Sequence, residues 1–447
     1  MARFLSPSEF GLVSLTFVLL MTIKMLLLDQ ISTAVVRKSS ASHRDYSTAF
    51  WLTILMGGAG FLILNLSSFI LGRIFVAQGL GKIVRAMSYM VLAFAATRTQ
   101  EQWLARHFNF RVLAIRSILG SLCGGVVGIT CAFMGAGVWS LVVQQLVMSA
   151  ASMAFLWSTC PWRPRFEFST KTAGEILDYT RKIIGGSILY VVNQNCDVVM
   201  IGGFYGSTSV GIYSVAKRLA VALHMVAATP INGVTIPTLA EVQEDGEQLQ
   251  VVLFSAIRTV LSVCAPVFLG AVAIDNDIIL TVFGRKWIEA VPVFGWLSLG
   301  SLCALALEYN NIIFSTKNRP AWSTLIAIAY SALAFGLFYV MSLFKWPAIA
   351  LPFVFPYLVV LPVSTILACK ITGMRVRTWI SAMQPPLLSA TIMFCVVRWT
   401  ILSIQLPTVY RLCLGVLIGA FIYICLMALF APSFIRQAVA LGRNFRP

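Results

Sequence analysis

Long apolar segments follow one another along almost the whole chain. Windows of about 20 residues, the length with which a helix crosses a bilayer, mark thirteen such segments. The chain is 59% hydrophobic and 11% charged, whereas a soluble domain carries roughly 25% charged residues. We therefore predict an all-α polytopic membrane protein. The predicted spans are 10–30, 48–71, 79–97, 112–134, 137–158, 176–201, 208–231, 250–274, 289–314, 321–342, 346–369, 378–401 and 407–431.

The net charge of +17 first suggests a nucleic-acid partner. The basic residues are dispersed among short loops, however, and form no stripe that could follow a duplex. The ten cysteines contain no CxxC pair, and most lie inside apolar segments, where they act as small hydrophobic residues. The three histidines are too scattered for a zinc site. We expect no nucleic-acid partner, no metal and no other cofactor.

The basic residues also orient the predicted spans. Alternate loops and the C-terminal tail carry nineteen Lys and Arg residues, and the opposite loops carry five. Because short basic loops stay on the cytoplasmic side, we predict that the first set and the C-terminus are cytoplasmic. The basic set comprises Arg37, Lys38, Arg44, Arg98, Arg106, Arg111, Arg163, Arg165, Lys171, Arg181, Lys182, Lys317, Arg319, Lys370, Arg375, Arg377, Arg436, Arg443 and Arg446.

Two neighbouring apolar segments in the middle of the chain carry charges that lipid should reject. A very short turn, residues 202–207, connects them. One helix face of the first segment carries, at steps of three or four, Asp178, Arg181, Gly185, Leu189, Asn193 and Asp197. Lys217 and His224 share one face of the second segment. An ionisable group near the bilayer centre costs about 2.5–3.5 kcal/mol even on lenient scales. These faces are therefore predicted to line a water-filled path.

An internal repeat relates the start of the chain to this turn. Residues 3–14 align without gaps with residues 203–214, an offset of 200. Both turns are predicted on the outer side, so the repeats are parallel. The second repeat has a helix before its turn and the first has none, so we expect a fourteen-span design whose first helix is missing here. The corresponding positions are Phe4 and Phe204, Gly11 and Gly211, Ser14 and Ser214, and Lys24 and His224.

Three motifs carry a resemblance to a known family. They read ARFLSPSEFG at 2–11, GAGVWSLV at 135–142 and GGFYGSTSVGIYSVAKRL at 202–219, with Pro230 and Pro237 after the last. On these residues the chain resembles the polysaccharide transport (Wzx-type) oligosaccharide flippases of the multidrug/oligosaccharidyl-lipid/polysaccharide (MOP) exporter superfamily. The likeness covers most of residues 1–370.

The resemblance implies two pseudo-symmetric helical lobes around a central cavity, with a further pair of helices. Applied to this chain, it implies an N-terminal lobe at 1–160 without its first helix, a C-terminal lobe at 161–372, and a final helix pair with a cytoplasmic tail at 373–447. The implied protein lies in the bacterial inner membrane and catalyses no covalent reaction. Its implied cargo is an undecaprenyl-diphosphate-linked oligosaccharide, moved with a polysaccharide polymerase and export proteins as possible partners and a proton or sodium gradient as the driving force.

Basic side chains within the spans are candidates to bind the cargo diphosphate, because fixed cations can replace its water with charge-assisted hydrogen bonds. The alternative for each is a side chain that reaches up to the headgroups, or a buried ion pair. The candidates are Lys24, Lys217, Arg218, Arg258 and Arg181.

Acidic residues and a histidine are candidates for ion or proton coupling. A carboxylate in a partly dry cavity has its pKa raised by desolvation and lowered by cations, and histidine titrates near neutral pH. The candidates are Asp29, Asp178, Asp197 and His224, with Asn193 and Asn195 as a polar lining for sugar hydroxyls. Asp197 could instead be a solvated helix end, His224 a packed neutral group, and the two amides mere links between helices.

Two other functions remain open at this point. A cation-coupled drug antiporter of the same superfamily should have an acidic interior with little fixed positive charge. The predicted interior of this chain instead carries the basic residues Lys24, Lys217 and Arg218. A membrane polymerase or glycosyltransferase needs catalytic residues on the outer face. There, only the loop 275–292 is long enough to hold them.

Overall fold

The computed structural model describes residues 3–432 apart from 39–40, 76–78, 243–244 and 345–347. Helices account for nearly all of this part of the chain, and no strand occurs in it. The helices are α1 (Pro7–Val36), α2 (His43–Ile74), α3 (Leu80–Arg106), α4 (Phe110–Phe133), α5 (Val138–Thr159), α6 (Thr170–Ala227), α7 (Thr229–Glu241), α8 (Gly246–Ala273), α9 (Asp275–Val282), α10 (Ala290–Thr316), α11 (Pro320–Leu343), α12 (Leu351–Thr372), α13 (Val376–Ser403) and α14 (Thr408–Phe430).

Twelve helices in the described ranges are long and apolar enough to cross a membrane. One of them, α6, has 58 residues and would measure about 87 Å if it were straight, far more than the roughly 30 Å of a hydrocarbon core. It is broken at Gly206, where φ is 81° and ψ is 179°. Glycine adopts such a backbone without a side-chain clash. Counting the two arms of α6 separately gives the thirteen predicted spans.

A hydrogen bond shows that the second arm of α6 folds back along the first. The Tyr213 hydroxyl donates to Oδ2 of Asp197 at 2.7 Å. The two residues are 16 positions apart, and along a continuous helix they would be separated by about 24 Å. The turn predicted at 202–207 is therefore present, but only Gly206 leaves the helical conformation.

The helices form two compact units, Met1–Ser214 and Val215–Pro447. In the first unit, Val35, Phe50, Leu104 and Leu156 from four different helices meet in one buried cluster. In the second, one buried cluster joins α8, α10 and α13, and another seats the last helix, α14, on α8 and α13. The unit boundary lies within the second arm of α6. The predicted repeat boundaries, after 160 and after 372, describe a different division and stay a prediction.

Within the first unit, the two repeat-related turns meet at a backbone contact. A Cβ added to Gly11 would overlap the backbone oxygen of Ser207, and one added to Gly211 would overlap the backbone oxygen of Pro7. Positions 7 and 207, like 11 and 211, differ by the predicted offset of 200. The contact therefore has twofold character in the register of the sequence repeat, and it is a small-residue crossing of the kind common between membrane helices.

The short helix α9 anchors the last two long helices. Asp275 contacts Nη1 of Arg398 at 2.8 Å, and Asp277 contacts Nη2 of Arg411 at 2.5 Å. Burial raises the pKa of Asp275, and the adjacent Arg398 only partly offsets this effect. Two of the three carboxylates of the loop 275–292, those of Asp275 and Asp277, are thus held by arginines of α13 and α14. The tail with Arg436, Arg443 and Arg446 lies outside the described residues.

Candidate functional site

A π-helical turn in α1, Lys24–Asp29, brings two predicted site residues together. Residues five apart on an α-helix point about 140° away from each other, whereas the wider π turn bonds residues five apart, and such turns often occur at functional sites. The Lys24 Nζ donates to both carboxylate oxygens of Asp29 at 3.2 Å. Lys24 also lies 5.8 Å from the ring centre of Phe94.

Three further charged residues complete what we call the Asp29 cluster: Lys24, Asp29, Arg98, Glu101 and Arg116. Nε of Arg98 lies 2.8 Å from Oδ1 of Asp29, and Nη1 of Arg98 donates to Glu101 at 3.0 Å. Arg116 on α4 pairs with the other oxygen of Glu101. Among the described residues the cluster holds three cations and two carboxylates, a net charge of +1. Each side chain is 17–25% exposed.

Arg98, Glu101 and Arg116 were not among the site residues predicted from the sequence. The hydropathy window ended at residue 97 and assigned Arg98 to a cytoplasmic loop, but α3 continues to Arg106. Arg98 and Glu101 stand three residues apart, a spacing that joins side chains on one helix face. That spacing was the feature of the sequence that could have identified the pair of Arg98 and Glu101. No feature of the sequence indicated the contact between Arg98 and Asp29, which are 69 positions apart.

A second group lies in the unit Val215–Pro447, and we call it the Glu308 cluster: His224, Asn232, Glu308 and Tyr309. Nε2 of His224 lies 3.7 Å from Oε2 of Glu308. The Asn232 side chain donates to Oε1 of the same carboxylate at 3.0 Å, and the Tyr309 hydroxyl donates to Oδ1 of Asn232 at 3.1 Å. Glu308 was not among the predicted residues. It is, however, the one charged residue in the sequence of α10, which marks it as a functional candidate.

The Glu308 cluster spans a break between two helices. α6 ends at Ala227 and α7 begins at Thr229, with Pro230 in its first turn. His224 precedes this break and Asn232 follows it. One carboxylate from α10 therefore contacts both helix ends through its two oxygens, so its charge state bears on the geometry of the break.

The other predicted cations occupy varied surroundings. Lys217 is half-buried and Arg218 is exposed on the second arm of α6. Arg258 on α8 is half-buried, with its guanidinium 5.9 Å from the ring centre of Phe254. Arg181 is exposed near the start of α6. Their roles toward a cargo stay predictions.

The remaining polar candidates lie on the first arm of α6. Asp197 is buried and accepts hydrogen bonds from Tyr213 and from the backbone N–H of Val198. Asp178 is exposed, and Asn193 is half-buried. The Asn195 amide donates to the carbonyl of Val191 at 3.3 Å, a bond within its own helix. The described contacts thus bind Asp197 and Asn195 to the fold itself.

The pattern of residues 1–292 matches the family model described as "Polysaccharide biosynthesis protein". This is well over half of the chain. The chain belongs to this family. The family resemblance read from the three sequence motifs is thereby confirmed.

Several curated proteins are similar to this member of the family. The succinoglycan biosynthesis transport protein ExoT of Rhizobium meliloti is 25% identical over all of this chain and 91% of its own length. The teichuronic acid biosynthesis protein TuaB of Bacillus subtilis is 21% identical over 92% of this chain and 86% of its own. The lipopolysaccharide biosynthesis protein WzxC of Escherichia coli is 24% identical over 75% of this chain and 66% of its own.

Solved membrane transporters share the fold of this chain. The lipid II flippase MurJ, in an inward closed conformation, covers 97% of this chain and 95% of its own, with a TM-score of 0.75 and 14% identity. An inward-facing multidrug MATE transporter of the MOP superfamily covers 83% of this chain and 94% of its own, with a TM-score of 0.65 and 12% identity. The predicted fold class, a MOP-exporter-like helical membrane protein, is confirmed.

Proposed function

We propose that this multi-pass membrane protein moves polyprenyl-diphosphate-linked oligosaccharide units outward across the bacterial inner membrane, for exopolysaccharide, capsule or lipopolysaccharide assembly. It catalyses no covalent reaction in this proposal, and its C-terminus is cytoplasmic. Three relatives named for the transport or biosynthesis of polysaccharides support the cargo class. A polysaccharide polymerase and export proteins are the partners that such a product requires.

The single observation that carries the proposal is the pair of charged clusters inside membrane-length helices. Ionisable side chains are energetically costly on a helix face that contacts only lipid. Within membrane proteins they usually mark a transport pathway. The Asp29 cluster has a net positive charge, which suits the diphosphate of the cargo. Lys217, Arg218 and Arg258 supply further cations within spans, as predicted from the sequence.

The Glu308 cluster supplies the coupling in this proposal. With Glu308 ionised, its oxygens hold His224 and Asn232 on the two sides of the break after Ala227. Protonation removes the charge on Glu308 and weakens the contact with His224, so the two helix ends are less firmly joined. A proton that enters from one side and leaves on the other would thus favour alternate geometries of the break, which is how a gradient drives a population shift.

The test is complementation of a bacterial host that lacks its own flippase, with lipid-linked oligosaccharide accumulation and surface polysaccharide as the readouts. The wild-type chain should restore surface polysaccharide. Lys217→Ala/Arg218→Ala should lose most of this activity at normal membrane levels. The matched control, Lys317→Ala/Arg319→Ala, removes the same charge from a connection between two helices and should remain active.

Two outcomes of the complementation assay bear on the proposal in different ways. Restoration by the wild-type chain and by both variants supports the flippase and removes Lys217 and Arg218 from the cargo site. If the wild-type chain, inserted at normal levels, fails to lower the accumulated oligosaccharide, the flippase proposal is wrong.

The second candidate is a cation-coupled small-molecule antiporter, which the intramembrane carboxylate of Glu308 favours. Efflux of cationic dyes by cells that express the chain would support it, provided that Glu308→Gln abolishes the efflux. A membrane polymerase is a weaker alternative, since Asp275 and Asp277 are occupied by Arg398 and Arg411.

A further inference from the structure

A pocket of about 700 Å³ opens on the face of the first unit that the basic residues predict to be cytoplasmic. It lies where α2 begins, where α3 ends and beside the segment after α5. None of the candidate cargo or coupling residues lines it. Its described lining consists of Ala41, His43, Tyr46, Trp103, Arg106, His107, Pro161, Trp162, Arg163 and Arg165.

Three arginines give this pocket a strong positive charge. Arg106, Arg163 and Arg165 carry three formal charges, and no carboxylate is present among the lining residues named above. The largely exposed Arg165 lies 3.8 Å from Oε1 of Glu167. A pair of that length at an exposed site is weak, so it leaves most of the positive charge of Arg165 in place.

Two of these guanidinium groups are held in place by backbone carbonyls. Arg106 donates to the carbonyls of Lys38 and Val36 at 2.7 and 3.0 Å. Arg163 donates to the carbonyl of Trp162 at 3.1 Å and to that of Cys160. Carbonyls orient a guanidinium without cancelling its charge, so the cations are positioned before any ligand arrives. Pre-positioned groups bind at a lower entropic cost.

Aromatic side chains form the rest of the pocket wall. One of them, Trp162, has an indole N–H with no acceptor among the described residues. Trp162 is 5% exposed. The rings of Trp103 and His107 stack with their centroids 3.9 Å apart. A buried N–H without an acceptor is destabilising, and an anionic oxygen in the pocket would accept its hydrogen bond.

From this geometry we propose that the pocket binds the phosphate ester of a membrane lipid drawn from the predicted cytoplasmic leaflet. Arginine forks match phosphate oxygens, tryptophan rings sit well at headgroup depth, and basic pockets between membrane helices on the cytoplasmic side bind anionic headgroups. Two lipids present this chemistry, an anionic glycerophospholipid and a polyprenyl diphosphate. The proposal does not depend on the transport function.

The test is native mass spectrometry of the purified full chain, delipidated and then titrated separately with phosphatidylglycerol, phosphatidylcholine and undecaprenyl diphosphate. We expect the chain to retain at least one of the two anionic lipids about tenfold more than phosphatidylcholine. Arg163→Gln/Arg165→Gln should lose this preference. Arg165→Gln alone should weaken it severalfold, and this variant leaves the carbonyl contacts of Arg163 intact, so its fold should be unaffected.

The matched control is Arg375→Gln/Arg377→Gln, which removes two exposed arginines from another loop of the predicted cytoplasmic face and should keep the preference. Preferential retention of phosphatidylglycerol, lost in the pocket variants, supports a glycerophospholipid as the occupant. Preferential retention of undecaprenyl diphosphate, lost in the same variants, supports the carrier lipid. Equal retention of all three lipids, or a preference that neither pocket variant changes, overturns the proposal. Because the readout is bound lipid, failure of the complementation assay would not affect it.

Discussion

Lys24 and His224 occupy corresponding positions in the internal repeat, yet their surroundings differ in kind. Lys24 belongs to a network in which Asp29, Arg98, Glu101 and Arg116 are linked by close ion pairs. His224 faces one carboxylate, at 3.7 Å, with amide and hydroxyl groups around it. In the first arrangement, each ion is held by an opposite charge. In the second, one carboxylate faces one imidazole.

We propose that this difference lets one helical framework serve two tasks. Permanent cations attract an anionic cargo whatever the pH, whereas a coupling group must change its charge during the cycle. In that proposal, the linked ions of the Asp29 cluster serve the first task and the pair of His224 and Glu308 serves the second. The predictions below test this contrast, from the largest expected effect to the smallest.

Asp29→Ala should have the largest effect, because it leaves Lys24 and Arg98 without their shared carboxylate. Removing one partner of a buried pair costs about 3–5 kcal/mol. The measurement is thermal unfolding of the detergent-purified protein, followed by size-exclusion chromatography. The compensated variant Lys24→Met/Asp29→Ala restores the original net charge of the cluster and should recover much of the loss. A melting temperature of Asp29→Ala equal to that of the wild type would contradict a tightly held network.

Gly211→Ala should come next, because the added methyl group meets the backbone oxygen of Pro7 rather than a movable side chain. Overpacking of this kind costs about 1–3 kcal/mol, and we expect a value near the upper end. It would disturb the backbone contact between residues 7–11 and residues 207–211. Gly203→Ala is the control on the same helix, since nothing lies within 4 Å of a Cβ there. Equal melting temperatures for the two variants would show that the crossing tolerates separation.

Glu308→Gln should separate stability from transport. The amide keeps the shape of the side chain and can still accept from Asn232, so we expect a stability change below about 1 kcal/mol. Transport in the complementation assay should fall at least tenfold and lose its dependence on external pH. Glu101→Gln, in the fixed network, should instead lower the melting temperature and leave the pH dependence of any remaining transport in place. If Glu101→Gln abolished the pH dependence and Glu308→Gln only lowered the melting temperature, the coupling role would belong to the Asp29 cluster.

Lys38→Met should have the smallest effect on stability. It removes a half-exposed lysine that pairs with Asp45 and Glu175. Hydrogen bonds to Glu175 and then Asp45 raise the pKa of Lys38 above its ordinary value of 10.5. Its contribution to stability is therefore fully present below pH 10.5 and is lost as the pH rises through the raised pKa. The side chain is 37% exposed, so solvent screening limits the contribution to about 1 kcal/mol or less.

For Lys38→Met, the check is a melting curve at low and high salt at neutral pH, with wild type and variant converging as salt screens the pairs. The variants of the Asp29 cluster should show much less salt dependence, because that cluster is more deeply buried. Identical salt responses at the two sites would mean that burial does not distinguish them.

Much of the architecture was predictable from the sequence, and three glycines show why. Gly206 marks a turn because the apolar segments on either side are too long for a single crossing and glycine is the residue that permits the reversal. Gly11 and Gly211 could be recognised as corresponding positions because the repeat aligns without gaps in the sequence. Both signals are local, or depend only on matching one stretch of chain with another.

The composition of the two clusters was decided by the tertiary structure. Lys24 and His224 were recognised as charges inside apolar segments, but their contacts with Asp29 and Glu308 were not predicted. Arg98 was assigned to a loop because averaging over a window treats a charge as a cost, even where an opposite charge on another helix offsets it.

The sequence by itself thus determined the membrane class, the spans, the repeat and the family of this protein, since those follow from the length of apolar segments and from local motifs. Only the tertiary structure decided that Asp29 meets Arg98, that Glu308 meets His224, and that three arginines and Trp162 form one pocket. The physical reason is that the periodicity of a helix fixes which residues share its own face. It does not specify which face of a distant helix packs against it, and the electrostatics of a site depend on that choice.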